Sequence, residues 1–180
     1  RGAQGVDDGW RYSAESGTMV GAQSFLAQLF NLQRRYDEAS KLYDQIDVWT
    51  AKWEPSRREA MSGGLARISV MLIQGNATNV LEIAQRTFER ERAQSGDKSL
   101  NTAVARGYYA VALARAGKTG EALQAFKESV PVLLTTTGGS DDDSGATAAA
   151  REGRTRFVIE GYLRVLALNP SLAPANVAEE

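Results

Sequence analysis

The sequence predicts an all-α chain, a right-handed solenoid of antiparallel helix pairs, and three observations predict it. Apolar residues recur at helical spacing through most of the 180 residues. Gly, Asn and Pro punctuate those stretches at intervals of about forty residues. The punctuated segments also superpose on one another at consistent offsets.

Composition bounds the answer before any element is placed. Hydrophobic residues make up 43% and charged residues 24%, a balance that supports a packed core rather than general disorder. With 21 basic and 22 acidic side chains the net charge is −1, which argues against broad attraction to nucleic acid or anionic membrane. No apolar run approaches the length of a membrane span, so no membrane insertion is expected. The chain has neither cysteine nor histidine. Thiol nucleophiles, disulfides, Cys/His zinc sites and histidine triads are thereby excluded from it. A chain beginning at Arg1, with no signal-peptide core behind it, reads as a processed or partial product. It reads as cytoplasmic, or as periplasmic where a signal peptide has been removed.

Residues 1–17 read as a loosely structured lead-in with Trp10 and Tyr12 as its large anchors. From Thr18, the residues Phe25, Leu26, Leu29, Phe30 and Leu32 recur at helical spacing and read as a first helix. A second helix carries Leu42, Tyr43, Ile46 and Trp49 on one face, extended by Trp53, and Pro55 stops it. Ser56-Arg57-Arg58-Glu59 has the form of a capping box, starting a helix through Leu65, Ile68, Met71, Leu72 and Ile73 that ends near Gly75-Asn76. Val80, Leu81, Ile83, Ala84, Thr87 and Phe88 then face inward from a helix whose outer face interleaves both charges. Residues 99–134 make a helical hairpin around Gly117-Lys118-Thr119. Residues 135–153, with Asp141-Asp142-Asp143, read as a flexible acidic loop whose Ala-rich end leans toward helix. Residues 154–169 form one more helix, and residues 170–180 form a tail. The repeat domain thus spans 18–169, divided at 18–55, 56–96, 97–134 and 154–169.

The turns test this division. Arg34, Gly75 and Gly117 begin equivalent joints, 41 and 42 positions apart (34 to 75, 75 to 117). After each joint a small residue, Ala39, Val80 or Ala122, opens an A-x3-F block closed by Tyr43, Ala84 or Phe126. Nine positions before each small residue stand Phe30, Met71 and Leu113. The small residue lets two helices approach, and the larger partner fills the space between neighbouring pairs.

With Arg106-x2-Tyr109-Ala110-x2-Leu113 followed by Ala122-x3-Phe126, the chain resembles a tetratricopeptide repeat (TPR) protein over residues 18–169. It departs from that pattern in its period, about 42 against the usual ~34, and in lacking the closing proline. The middle copy also carries Arg67 and Val80 where Leu and Ala fit better. Long repeats of this kind are similar to those of kinesin light chains. They are also similar to the repeats of bacterial proteins that join them to a caspase-like CHAT domain.

The resemblance implies a protein- or peptide-binding scaffold rather than an enzyme, with the first helix of each pair lining a concave face. The phase of the superposition then points to Ser24, Gln28 and Asn31, to Leu65, Ser69 and Leu72, and to Val111 and Arg115 as partner-binding residues. Arg115 suits a carboxylate, which its guanidinium can hold with two parallel bonds, or else caps its own helix. The alternative is a regulatory sensor arm for an effector outside this chain, such as a CHAT peptidase. Self-association through unpaired terminal repeats is a third possibility. No cofactor is expected. Gly117-Lys118-Thr119 lacks the preceding strand and first glycine of a phosphate loop, with Ala112 at that glycine's place. The acidic triplet lacks the alternating ligand spacing of a calcium loop.

Overall fold

The structure is a computed structural model of the chain and describes residues 16–61, 64–75, 79–135 and 145–170. The described residues form eight α-helices and no strands, so the all-α class holds. They are α1 (Gly17–Leu32), α2 (Tyr36–Thr50), α3 (Pro55–Met61), α4 (Gly64–Gln74), α5 (Val80–Ser95), α6 (Leu100–Arg115), α7 (Thr119–Thr135) and α8 (Gly145–Leu168). They fall into two compact units, one ending at Arg67 and the other beginning at Ile68.

In the N-terminal unit, Ser16 caps α1 by accepting the Met19 N–H at 3.3 Å. The helix ends where Arg34 takes φ 60°, the left-handed conformation that glycine normally supplies. Arg34 N–H donates to Asn31 O and Arg35 N–H to Phe30 O, which satisfies carbonyls the helix would leave unpaired. So short a joint turns α2 back along α1, and the two helices pack against each other. Val20 and Ala27 of α1, with Ala39, Tyr43 and Ile46 of α2, are buried. Thr50 closes α2 by donating its hydroxyl to Ile46 O at 2.7 Å.

Three expectations change here. Pro55 begins a helix instead of only stopping one, because its missing N–H costs nothing at the first helical position. Ser56 therefore lies inside α3 rather than capping it, and Arg58 N–H donates to Glu54 O. The described residues of the helix expected from 56 to 75 fall in α3 and α4, and Gly64, which opens α4, has φ 49°, a conformation that does not belong inside a right-handed helix. Trp53 lies beyond α2, stacked 4.0 Å under the Arg57 guanidinium.

The C-terminal unit is organised around α6. Ser99 caps it, accepting the Thr102 N–H at 3.1 Å, and the Thr102 hydroxyl donates to Gly96 O. From Thr102 to Leu113 every residue except Tyr109 is buried. A helix buried on all sides needs a small, apolar surface, and Ala103, Ala105, Gly107, Ala110 and Ala112 supply it. α7 runs antiparallel beside it, since Ser129 late in α7 donates its hydroxyl to Ala103 O early in α6. On another side Phe88 of α5 stacks on Tyr109 with ring centroids 5.9 Å apart.

α8 lies parallel to α6. Its Val158 packs at Gly107 and its Gly161 at Val111, so contact advances in the same direction along both helices. Each crossing needs a glycine. A Cβ on Gly107 would lie 2.5 Å from Val158, and one on Gly161 would lie 2.6 Å from Val111. α8 also meets α7, where Phe126 and Tyr162 rings sit 5.1 Å apart. This helix begins at Gly145 rather than Arg154, so the Ala-rich end of the expected loop is helical. The acidic triplet, the N-terminal lead-in before Ser16 and the tail after Pro170 lie outside the described residues.

Candidate functional site

The candidate surface belongs to the first helix of each sequence repeat, and the structure divides its eight residues by burial. Ser24, Ser69, Leu72 and Val111 are buried. They pack inside the protein instead of facing an open surface. Val111 is covered by α8 at Gly161. Ser69 hydrogen-bonds the Tyr108 hydroxyl, and the Tyr108 ring lies 4.8 Å from that of Phe157. Burial pushes the Tyr108 phenol far above its ordinary value, against the opposing pull of the Arg154 charge and the Ser69 bond.

The other four residues stay accessible. In the N-terminal unit Gln28, Asn31 and Leu65 are half-buried. The Asn31 side-chain amide donates to Ala66 O at 3.3 Å, which brings the end of α1 to the start of α4 and sets Asn31 near Leu65. In the C-terminal unit Arg115 is exposed in the last turn of α6, where the helix dipole favours a cation. Among the described residues its guanidinium has no hydrogen-bond or ion-pair partner, so it does not cap its own helix.

Arginine chemistry elsewhere is structural. Arg106 is itself buried, in the middle of α6. Its guanidinium lies 5.1 Å over the Phe88 ring, 2.5 Å from Asp97 and, at Nε, 3.5 Å from Glu128. The last separation is long for a hydrogen bond, so Nε is held by charge rather than by a bond. Arg67, the outlier of the middle copy, pairs with Asp47 and lies 5.7 Å over the Tyr43 ring. Both side chains lay a flat guanidinium over an aromatic ring and pair its charge with an aspartate. In the Gly117-Lys118-Thr119 turn, Gly117 has φ 78° and Lys118 sits 3.2 Å from Glu121, an interhelical joint with its lysine paired.

Phe25, Leu26, Leu29 and Leu32, the apolar residues that recur at helical spacing in α1, are exposed at 63%, 37%, 37% and 53%. The buried face of α1 is formed instead by Val20, Ser24 and Ala27, almost opposite on the helix. No sequence signal separates the two faces, because α1 carries no charged residue to mark a solvated side.

No group of three His, Cys, Asp or Glu side chains among the described residues is placed to hold a metal ion. No helix among them is long and apolar enough to cross a membrane. No protein-family model matches the chain, and no curated protein matches it either.

Proposed function

We propose that the chain is a non-enzymatic protein- or peptide-binding scaffold of the tetratricopeptide type, a right-handed solenoid with repeats of about 42 residues. The observation that carries this reading is a repeated joint. Arg34, Gly75 and Gly117, equated from sequence alone, have φ of 60°, 75° and 78°. Around Arg34 and Gly117 the hydrogen bonds also agree, with Gly117 N–H donating to Ala114 O and Lys118 N–H to Leu113 O, the same offsets as at Arg34 and Arg35. The packing of α8 on both α6 and α7 is what the first helix of a following repeat would do.

Partner recognition then falls to the accessible first-helix residues, Gln28, Asn31 and Leu65 in one unit and Arg115 in the other. Amide side chains bond a peptide backbone, the leucine buries a side chain, and Arg115 holds a carboxylate. A library of random peptides displayed with free C-termini tests this. Panning on the wild type should enrich peptides ending in acidic residues, and an Arg115→Glu, Gln28→Ala double variant should lose them. Equal enrichment by both proteins, or none by either, refutes the reading.

A further inference from the structure

We infer that the groove between α6 and α8 takes an extended acidic peptide, with two carboxylates four residues apart and an apolar side chain midway between them. The inference rests on the binding reading above and names the partner chemistry of the C-terminal unit. The two helices run parallel, and the Tyr108 and Phe157 rings meet 4.8 Å apart at their contact. Seven residues make two helical turns. Arg115 therefore follows Tyr108, and Arg164 follows Phe157, on the same face and about 10.5 Å further along. Those two positions stand side by side as the rings do. Arg154 lies one turn before Phe157 on that face, and its charge reaches the Tyr108 phenol. Tyr162 meets Phe126 of α7, which places α7 on another side of α8.

Charge selects an anion. Arg115, Arg154 and Arg164 are all exposed, and none forms an ion pair among the described residues. Neither α4 nor α6 carries an acidic residue, and Glu152 of α8 is paired with Arg156. Only Glu160 of α8 opposes the three cations, and it forms no ion pair with Arg164 four residues on. Geometry selects an extended chain. The glycine crossings bring α6 and α8 close, which leaves little width for a helix about 10–12 Å across. Arg154 and Arg164 are ten residues apart, about 15 Å along α8. An extended peptide covers that in four to five residues at about 3.3 Å each, and every second side chain returns to the same face. Carboxylates at its first and fifth positions then meet the two ends, while the third side chain falls over half-buried Phe157 and Gly161.

Fluorescence anisotropy with the peptide Gly-Ser-Glu-Gly-Leu-Gly-Glu-Ser-Gly tests this. Fluorescein blocks its N-terminus and an amide its C-terminus, so it lacks the terminal carboxylate that Arg115 alone would hold. The wild type should bind it saturably, and about tenfold more tightly than Gly-Ser-Glu-Gly-Leu-Glu-Gly-Ser-Gly, whose second carboxylate falls on the other face. Arg154→Glu and Arg164→Glu, at exposed sites that keep the fold by circular dichroism, should each weaken binding about tenfold or more. Arg156→Glu should leave it unchanged, and Glu160→Gln should tighten it about twofold. No binding, equal binding of the two peptides, equal weakening by Arg156→Glu, or no gain from Glu160→Gln overturns the inference. A ten-residue oligothymidylate that displaces the peptide at lower concentration assigns the arginines to nucleic acid and overturns it too. Where Arg115-dependent enrichment of free C-termini persists beside such a failure, the scaffold reading stands and this inference alone falls.

Discussion

Gly107→Ala adds one methyl group where α6 meets α8. The new carbon would stand 2.5 and 2.6 Å from the two methyls of Val158 and 3.0 Å from the Ser129 hydroxyl. Comfortable carbon contacts are about 3.5–4.0 Å, so roughly 1 Å must be recovered by moving a helix. Overpacking of that kind costs about 1–3 kcal/mol, while alanine returns up to about 1 kcal/mol of helix propensity. The net expectation is a loss of about 1–2 kcal/mol, read as a lower urea midpoint by far-ultraviolet circular dichroism. Val158→Ala alone should also destabilise, by about 1.6 kcal/mol for two methyl groups plus a cavity. In the double variant the added methyl partly fills the vacated space, so the two costs should fall short of additive by about 1 kcal/mol. A Gly107→Ala protein as stable as the wild type, or strictly additive costs, would refute the close parallel approach of α6 and α8.

Two further predictions concern the N-terminal unit and suit tryptophan fluorescence, since all three tryptophans of the chain precede Arg67. Arg34→Gly should stabilise that unit by about 0.5–1 kcal/mol: it relieves about 1–2 kcal/mol of left-handed strain and loses part of that to the freer unfolded chain. A destabilised variant would mean that Arg34 has no such strain. The Tyr43 hydroxyl is buried without a hydrogen-bond partner among the described residues, so Tyr43→Phe should be neutral or stabilising by about 1 kcal/mol at pH 7. Burial, opposed by the Arg67 charge, raises the Tyr43 phenol from 10.0 to about 12. Its contribution is therefore fully present below pH 10 and is lost as pH rises from 10 through 12, by about 2–3 kcal/mol in all. The phenylalanine variant should show a shallower decline in that window, and an unchanged slope would show that Tyr43 does not titrate there.

The joints were legible because they rest on local chemistry. Superposing Arg34 on Gly75 and Gly117 from sequence found three left-handed residues, one of them not a glycine. The break at Gly64 was missed because one glycine inside an apolar helical pattern reads as a tolerated cost rather than an end. The candidate residues divide by burial for a physical reason. Phase along a helix says which residues share a face, but not how many neighbours that face will meet. α6 meets neighbours on every side, which places Val111 inside while Arg115, one turn on, stays in water. For α1 the sequence leaves the buried face open, because an uncharged helix offers two apolar faces and nothing ranks them.

The burial of α6 also constrains how relatives of this chain can diverge. From Thr102 to Leu113 every position but Tyr109 is buried, and a carbon added at Gly107 would lie 2.5 Å from Val158, so added volume there moves toward loss of fold rather than toward new chemistry. The exposed faces of α1, α2 and α5 carry no such limit. Kinship to this chain should therefore outlast general sequence identity in one place, as a short run of alanines and glycines interrupted by Arg106 and Tyr108.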